Sequence, residues 1–328
     1  MGRCVMDFEK LLRLAARIRR HPKTLLSVFD DAGAWELDGE YILLKIDGFA
    51  ASRALYPWCT LYDLGFRGVV AAVSDVYAKG CRPLAYAVSL GLKTTSIDLI
   101  EEFIRGVEDA VSLYGGYIEN IDTNVGDDSW IDVAVIAVCR YRPVPRVGVK
   151  PGHMLALIGR RIGLQRLAYE KYLRGVCVPR CVEEASCRPS TEPRVVDLIE
   201  LCRHCISASI DISDTVAEAL ETIATLNNVG IYLSRTGISY ALDPLAKEAA
   251  NSLGISEKKL FLETFEEYVP MIAVYPWCKD FVEDMARWLG IDIVWLGVAT
   301  SLRSICVEGE EIPSVRWSPT SDVLQQSS

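Results

Sequence analysis

Between Arg140 and Gly152 the chain carries three prolines (Pro143, Pro145, Pro151) and two glycines (Gly148, Gly152), a stretch through which no regular helix or strand can run. On both sides of this break, short apolar runs alternate with segments of helical period. At 328 residues the chain also exceeds the roughly 250–300 at which a single hydrophobic core stops growing. Two domains are therefore expected, over residues 1–145 and 146–328.

In the first half, Phe8, Leu11, Leu12, Ala15 and Ile18 predict an amphipathic helix over residues 7–20, closed before Pro22. A short buried strand is expected over 41–46, bounded by Asp38-Gly39 and Asp47-Gly48. Thr60 can cap a long helix over 61–79, with Gly80 and Pro83 beyond its end. A strand over 84–92, a helix over 97–114 and strands over 117–121 and 130–139 follow. In the second half, strands are expected over 154–158, 208–211, 229–233, 269–274 and 292–299. Helices are expected over 164–173, 194–207, 216–226, 244–253 and 279–289, with a frayed polar end. Antiparallel connections look as common as crossovers, which favours an α+β class, two layered domains, over a doubly wound parallel sheet.

Half the residues are hydrophobic and 24% are charged, which excludes a disordered chain. The net charge of −9 argues against nucleic acid as a partner and suits carboxylates gathered around metal ions. No apolar run is long enough to cross a bilayer, so no membrane association is expected. The first residues show no secretory h-region, which predicts a cytoplasmic protein. Only three histidines are present (His21, His153, His204), too few for a histidine-based metal site. Of eleven cysteines, Cys177, Cys181, Cys187, Cys202 and Cys205 lie close together. Their spacing matches no familiar zinc site, and buried thiols are preferred over zinc or disulfides.

The usual phosphate loops are missing. Gly159 to Gly163 could let a backbone approach a phosphate, with Arg160 as a nucleotide contact, although a plain strand-to-helix turn explains it as well. More informative are the aspartates at element ends: Asp30, Asp31, Asp47, Asp75, Asp122, Asp211 and Asp214. Taken singly, Asp214 suits a helix cap and Asp122 or Asp47 a turn. Asp75 is different, because a carboxylate near a helix C-terminus among apolar neighbours faces the negative end of the dipole and needs a cation. Magnesium, which takes carboxylate oxygens and bridges to phosphates, fits such a set.

Their joint wording resembles the superfamily of aminoimidazole ribonucleotide synthetase, selenophosphate synthetase, the hydrogenase-maturation dehydratase and thiamine-monophosphate kinase. Asp30-Asp31-Ala32 is similar to the kinase's Gly-Asp-Asp-Ala turn, and Asp47 to its Thr-Asp strand end. Ser74-Asp75 through Ala78, Gly80 and Pro83 resembles Ser-Asp-(x)2-Ala-x-Gly-(x)2-Pro. Asp122-Thr123, Lys150-Pro151-Gly152, Arg188-Pro189 and Asp211-Ile212-Ser213-Asp214 resemble further landmarks, so that the likeness spans about residues 7–300.

The resemblance implies a homodimer joined through its N-terminal sheets, binding ATP and Mg2+ and transferring the γ-phosphoryl group to a small molecule. Asp30, Asp31, Asp47, Asp75, Asp122 and Asp211 would hold metal. Asp122, Thr123, Ser213 and Arg160 would contact nucleotide, and Asp211 and Asp214 would be catalytic. The chain departs from the kinase pattern at Lys45-Ile46, where the kinase has Ser-Thr, and at Ser52-Arg53-Ala54, where its substrate histidine is missing. Glu119-Asn120-Ile121, Thr215 and Thr264-Phe265 replace its glycines. Those losses leave open a relative acting on another substrate, or a degenerate member that binds nucleotide without turnover.

Overall fold

The computed structural model describes residues 17–93 and 96–312. The helix expected over 7–20 falls largely outside these residues, as does the polar end. What is described is a mixed helix-and-sheet architecture built on two sheets, as the apolar patterning predicted. The first has the order β1 (Gly33–Leu37), β2 (Glu40–Ala50), β5 (Trp130–Cys139), β3 (Arg82–Leu92), β4 (Tyr117–Val125). Its neighbours are antiparallel except β3 and β4, which run parallel because the helix Ile97–Tyr114 (α2) carries the chain across between them.

The second sheet has seven strands. Its centre holds β6 (Met154–Gly159) between β10 (Asp292–Thr300) and β9 (Pro270–Val274), and β7 (Ile206–Asp211) forms one edge. Sequence patterning missed the edge strand β1 and the short helices Arg180–Cys187, Arg235–Ala241 and Glu257–Glu263. It also ran the helix expected over 194–207 too far, since the helix spans Val195–Leu201 and Ile206 already belongs to β7. These elements are too short for a hydrophobic period to establish itself.

The long helix Leu61–Ala78 (α1) is the pivot. Its sequence is apolar nearly all round, and it is buried nearly all round. One side lies against the inner face of the first sheet, where Val133, Val135 and Ala137 are buried. The other meets β7, β9 and the helix Val195–Leu201, so a single core joins Val69, Val73 and Val76 to Ile199, Ile206 and Ile272. Elements from both sides of the Pro/Gly break therefore meet along α1.

The cysteines form bonds that the preference for buried thiols did not anticipate. Disulfides join Cys59 to Cys187, Cys81 to Cys139 and Cys205 to Cys278. Two members of the cysteine-rich stretch thus pair with distant partners, while Cys177, Cys181 and Cys202 stay free. The pairing is tertiary, so local spacing held no sign of it.

Helix α2 packs on α1 at a glycine crossing. A Cβ at Gly106 would lie 2.0 Å from the Tyr62 carbonyl, and one at Gly65 would lie 2.4 Å from that of Phe103. In an ordinary helix, Gly-to-Ala stabilises by up to about 1 kcal/mol. Here Gly106→Ala is expected to destabilise by about 1–3 kcal/mol, because the backbones must separate. Urea unfolding checks this, and an unchanged or raised midpoint would refute the close packing.

Candidate active site

The site forms where α1, β2, β7 and the turn before β1 meet. On β2, Lys45 and Asp47 are two residues apart and share the face turned toward α1 with buried Leu43, while Leu44 and Ile46 point outward. Near the end of α1, Asp75 is 3% exposed, and Asp211 at the end of β7 is 2% exposed. One carboxylate oxygen from each of Asp31, Asp75 and Asp211 lies within 4.8 Å of the others. Three buried acids at that distance can share one cation.

Three basic side chains already serve this cluster, and sequence reading assigned a site role to none of them. The Lys45 ammonium contacts Asp75 Oδ2 and lies 3.2 Å from Asp47 Oδ2. Lys79, just past the end of α1 and 1% exposed, lies 2.7 Å from Asp30 Oδ1 and 2.5 Å from Asp31 Oδ2. It also donates to the Ser209 carbonyl at 2.9 Å. Arg146, from the Pro/Gly-rich connection, pairs with Asp31 Oδ1. The signal available in the sequence was the i, i+2 spacing of Lys45 and Asp47 on one strand face.

Six carboxylates (Asp30, Asp31, Asp47, Asp75, Asp211, Asp214) thus face three cations, and the balance remains acidic. Burial, followed by the neighbouring Asp211, pushes the Asp75 carboxyl well above the usual carboxylate range, with Lys45 pulling the other way. Burial and then Asp211 also raise Asp214. Burial works against the Lys45 charge, but Asp75 and Asp47 outweigh it and its ammonium is held above the usual lysine range. Asp211 Oδ2 accepts the Ser74 hydroxyl at 2.7 Å, whereas its Oδ1 is buried without a hydrogen-bond partner among the described residues. Such an orphaned oxygen fits a hard cation.

The remaining predicted residues divide. Asp30 is engaged at both oxygens: Oδ1 by Lys79 and the Asp31 amide, and Oδ2 by the Arg146 amide at 3.0 Å. Arg160 is taken up by Glu267, to which its Nη1 donates at 3.0 Å, and by the Ser190 carbonyl. Asp122 and Thr123 stand on the outer strand β4, away from the cluster. Asp122 aligns with Ser89, Ser89 with Asp132, and Asp132 with Gly48, so three strand spacings of about 4.8 Å put it roughly 14 Å from Gly48. It shares Ser89's face, opposite the buried Val88 and Leu90, and therefore lies across the sheet from Asp47.

Beside the cluster opens a cavity of about 390 Å³, lined by Asp47, Tyr56, Tyr172, Asp214, Phe265 and Glu266, with Ser213 at its edge. That volume suits a small-molecule ligand. Glu266 pairs with Arg67, which is fully buried in α1. Glu266 (φ 50°) and Tyr268 (φ 52°) both adopt left-handed backbone without being glycine. Their amides are pinned to Ser213 and Ile212 carbonyls at 2.8 Å, which sustains a conformation costing about 1–3 kcal/mol and typical of ligand sites.

The AIR synthase related protein N-terminal domain matches residues 29–141, the stretch supplying Asp30, Asp31, Lys45, Asp47 and Asp75. That stretch is an AIR synthase-related N-terminal domain. Over 208 residues it is 32% identical to thiamine-monophosphate kinase of Pyrococcus abyssi, covering 63% of this chain and 66% of that one. Over 287 residues it is 29% identical to the Pyrobaculum calidifontis thiamine-monophosphate kinase, covering 84% and 91%. The chain thus spans just under two thirds of the first relative and most of the second. The solved structure of AaThiL complexed with AMPPCP and TMP superposes with a TM-score of 0.77 at 19% identity, over 93% of each chain, a likeness of fold.

A pH dependence follows from the raised carboxyls. Folded Asp75 and Asp214 bind protons more tightly than they do unfolded, so their charge opposes folding at neutral pH and the penalty lifts as pH falls through their raised pKa values. In chelator, the thermal midpoint is expected to rise from neutral into mildly acid solution. A midpoint that falls steadily over that range would contradict this electrostatic account.

Proposed function

We propose that the protein is an ATP- and Mg2+-dependent kinase that transfers the γ-phosphoryl group to thiamine monophosphate. The observation that carries this reading is the buried Asp31–Asp75–Asp211 triangle opening beside an aromatic, acidic cavity. An uncompensated carboxylate cluster repels a triphosphate, so the two share a site only with cations between them. Bound there, Mg2+ would neutralise phosphate charge and orient the groups being exchanged. Asp31, Asp75 and Asp211 would hold it, with Asp47 and Asp214 at the mouth and Ser213 toward the phosphates.

The chain's own residues would do the remaining work by positioning. An acceptor phosphate is already anionic, so attack on the γ-phosphorus requires no strong base, and Asp211 and Asp214 serve to place charge. The thiazolium ring of the acceptor is a cation with an aromatic face. Tyr56, Tyr172 and Phe265 offer stacking surfaces, and Asp47, Asp214 and Glu266 offer compensating charge. This supports the acceptor even though no histidine occupies residues 52–54. The relatives named thiamine-monophosphate kinase support the same reading.

The outer face of the first sheet exposes Leu44, Ile46, Leu84 and Ile136. So apolar a sheet face favours a partner, and we place a second copy of the chain there. In such a homodimer Asp122 would lie at the interface, apart from its own protomer's cluster. The proposed division, residues 1–145 and 146–328, then separates a dimerising half from one that completes the cavity. Among the described residues no helix is long and apolar enough to cross a membrane.

MgATP at about 100 times its Kd should stabilise the fold by about 2.7 kcal/mol, seen as a raised melting temperature. Asp75→Asn should lose most of that gain, and no shift in the unaltered protein would remove the kinase reading. Thiamine diphosphate formed from the monophosphate decides the acceptor. Tyr172→Ala is expected to raise its KM several-fold while leaving the KM for ATP nearly unchanged; equal effects on both would misplace the cavity.

A further inference from the structure

We infer that Lys45 is a built-in cation that takes the place of one divalent ion in the carboxylate cluster. The inference rests on the metal-dependent reading above and concerns how many ions this chain holds. A metal bridging Asp47 and Asp75 would have to sit between their facing oxygens. That space is filled: the Lys45 ammonium contacts Asp75 Oδ2 and is 3.2 Å from Asp47 Oδ2. A hard cation needs oxygens at about 2.0–2.1 Å, and it cannot occupy that volume together with an ammonium.

No other cation stands between Asp47 and Asp75 among the described residues. Lys79 is spent on Asp30, Asp31 and the Ser209 carbonyl, and Arg146 on Asp31. Lys45 is anchored by its strand, since the pleat directs it to the same face as Asp47 and its side chain is only 15% exposed. The kinase motif that the chain otherwise resembles carries serine there, which has no charge to offer. The Asp31–Asp75–Asp211 triangle remains, with the orphaned Asp211 Oδ1 on it. Lys45 therefore closes the Asp47–Asp75 edge and leaves the triangle for an ion.

The test is Mn2+ binding to the full-length, nucleotide-free protein, followed by the electron paramagnetic resonance signal of free Mn2+. Lys45→Ser is expected to bind one more ion per protomer than the unaltered protein, while Lys45→Arg keeps the original number. Equal stoichiometry and affinity in Lys45→Ser and the unaltered protein would overturn the inference. If Lys45→Ser does not fold, Lys45→Met keeps the stem and removes the charge. Saturating Mn2+ should then raise its melting temperature more than that of the unaltered protein, and an equal rise would overturn the inference. These readouts use no nucleotide, so a failure of MgATP to stabilise the unaltered protein would strike the kinase reading alone.

Discussion

Mutual repulsion among buried carboxylates, held in check by lysine and arginine, is the constraint on which the rest of this structure depends. Asp31, Asp75 and Asp211 come from three separate parts of the chain, and one oxygen of each is brought within 4.8 Å of the others in a nearly dry interior. Removing a charge from water costs several kcal/mol even after relaxation, and gathering like charges adds to that cost. The arrangement persists because Lys45, Lys79 and Arg146 reach into it and because α1 is clamped between the two sheets.

That clamping links packing to chemistry. Helix α1 is apolar enough to be buried on nearly every side, and this lets it carry Arg67, Ser74 and Asp75 into the interior. Each polar group it brings finds a partner from elsewhere: Arg67 meets Glu266, Ser74 meets Asp211, and Asp75 meets Lys45. The close glycine crossing with α2 and the disulfide between Cys59 and Cys187 both fasten the N-terminal end of α1.

Much of the architecture was legible in advance where the physics is local. The helix Ile97–Tyr114 begins after Ser96 and ends before two glycines, and the strand Trp130–Cys139 alternates buried and less buried positions without a fault. The helix Lys279–Leu289 also stands where its period put it. The elements that escaped are short and held by neighbours. Asp31, Asp47, Asp75, Asp211 and Asp214 were legible as a group, because carboxylates at element ends need a reason. Asp122 and Asp30 were grouped with them on wording, yet one faces the other side of a sheet and the other is consumed by Lys79 and backbone amides.

From its residue order alone the chain determined the mixed helix-and-sheet class of fold and the acidic character of its site, since hydrophobic period and turn chemistry act over a few neighbours. Tertiary structure alone decided which acids meet, which bases answer them, that Glu266 and an aromatic wall border the same cavity, and which cysteines bond. The physical reason is that charge pairing and disulfide formation depend on distances between residues far apart in sequence, such as Lys79 and Asp30 or Cys59 and Cys187, and only the folded core sets those distances.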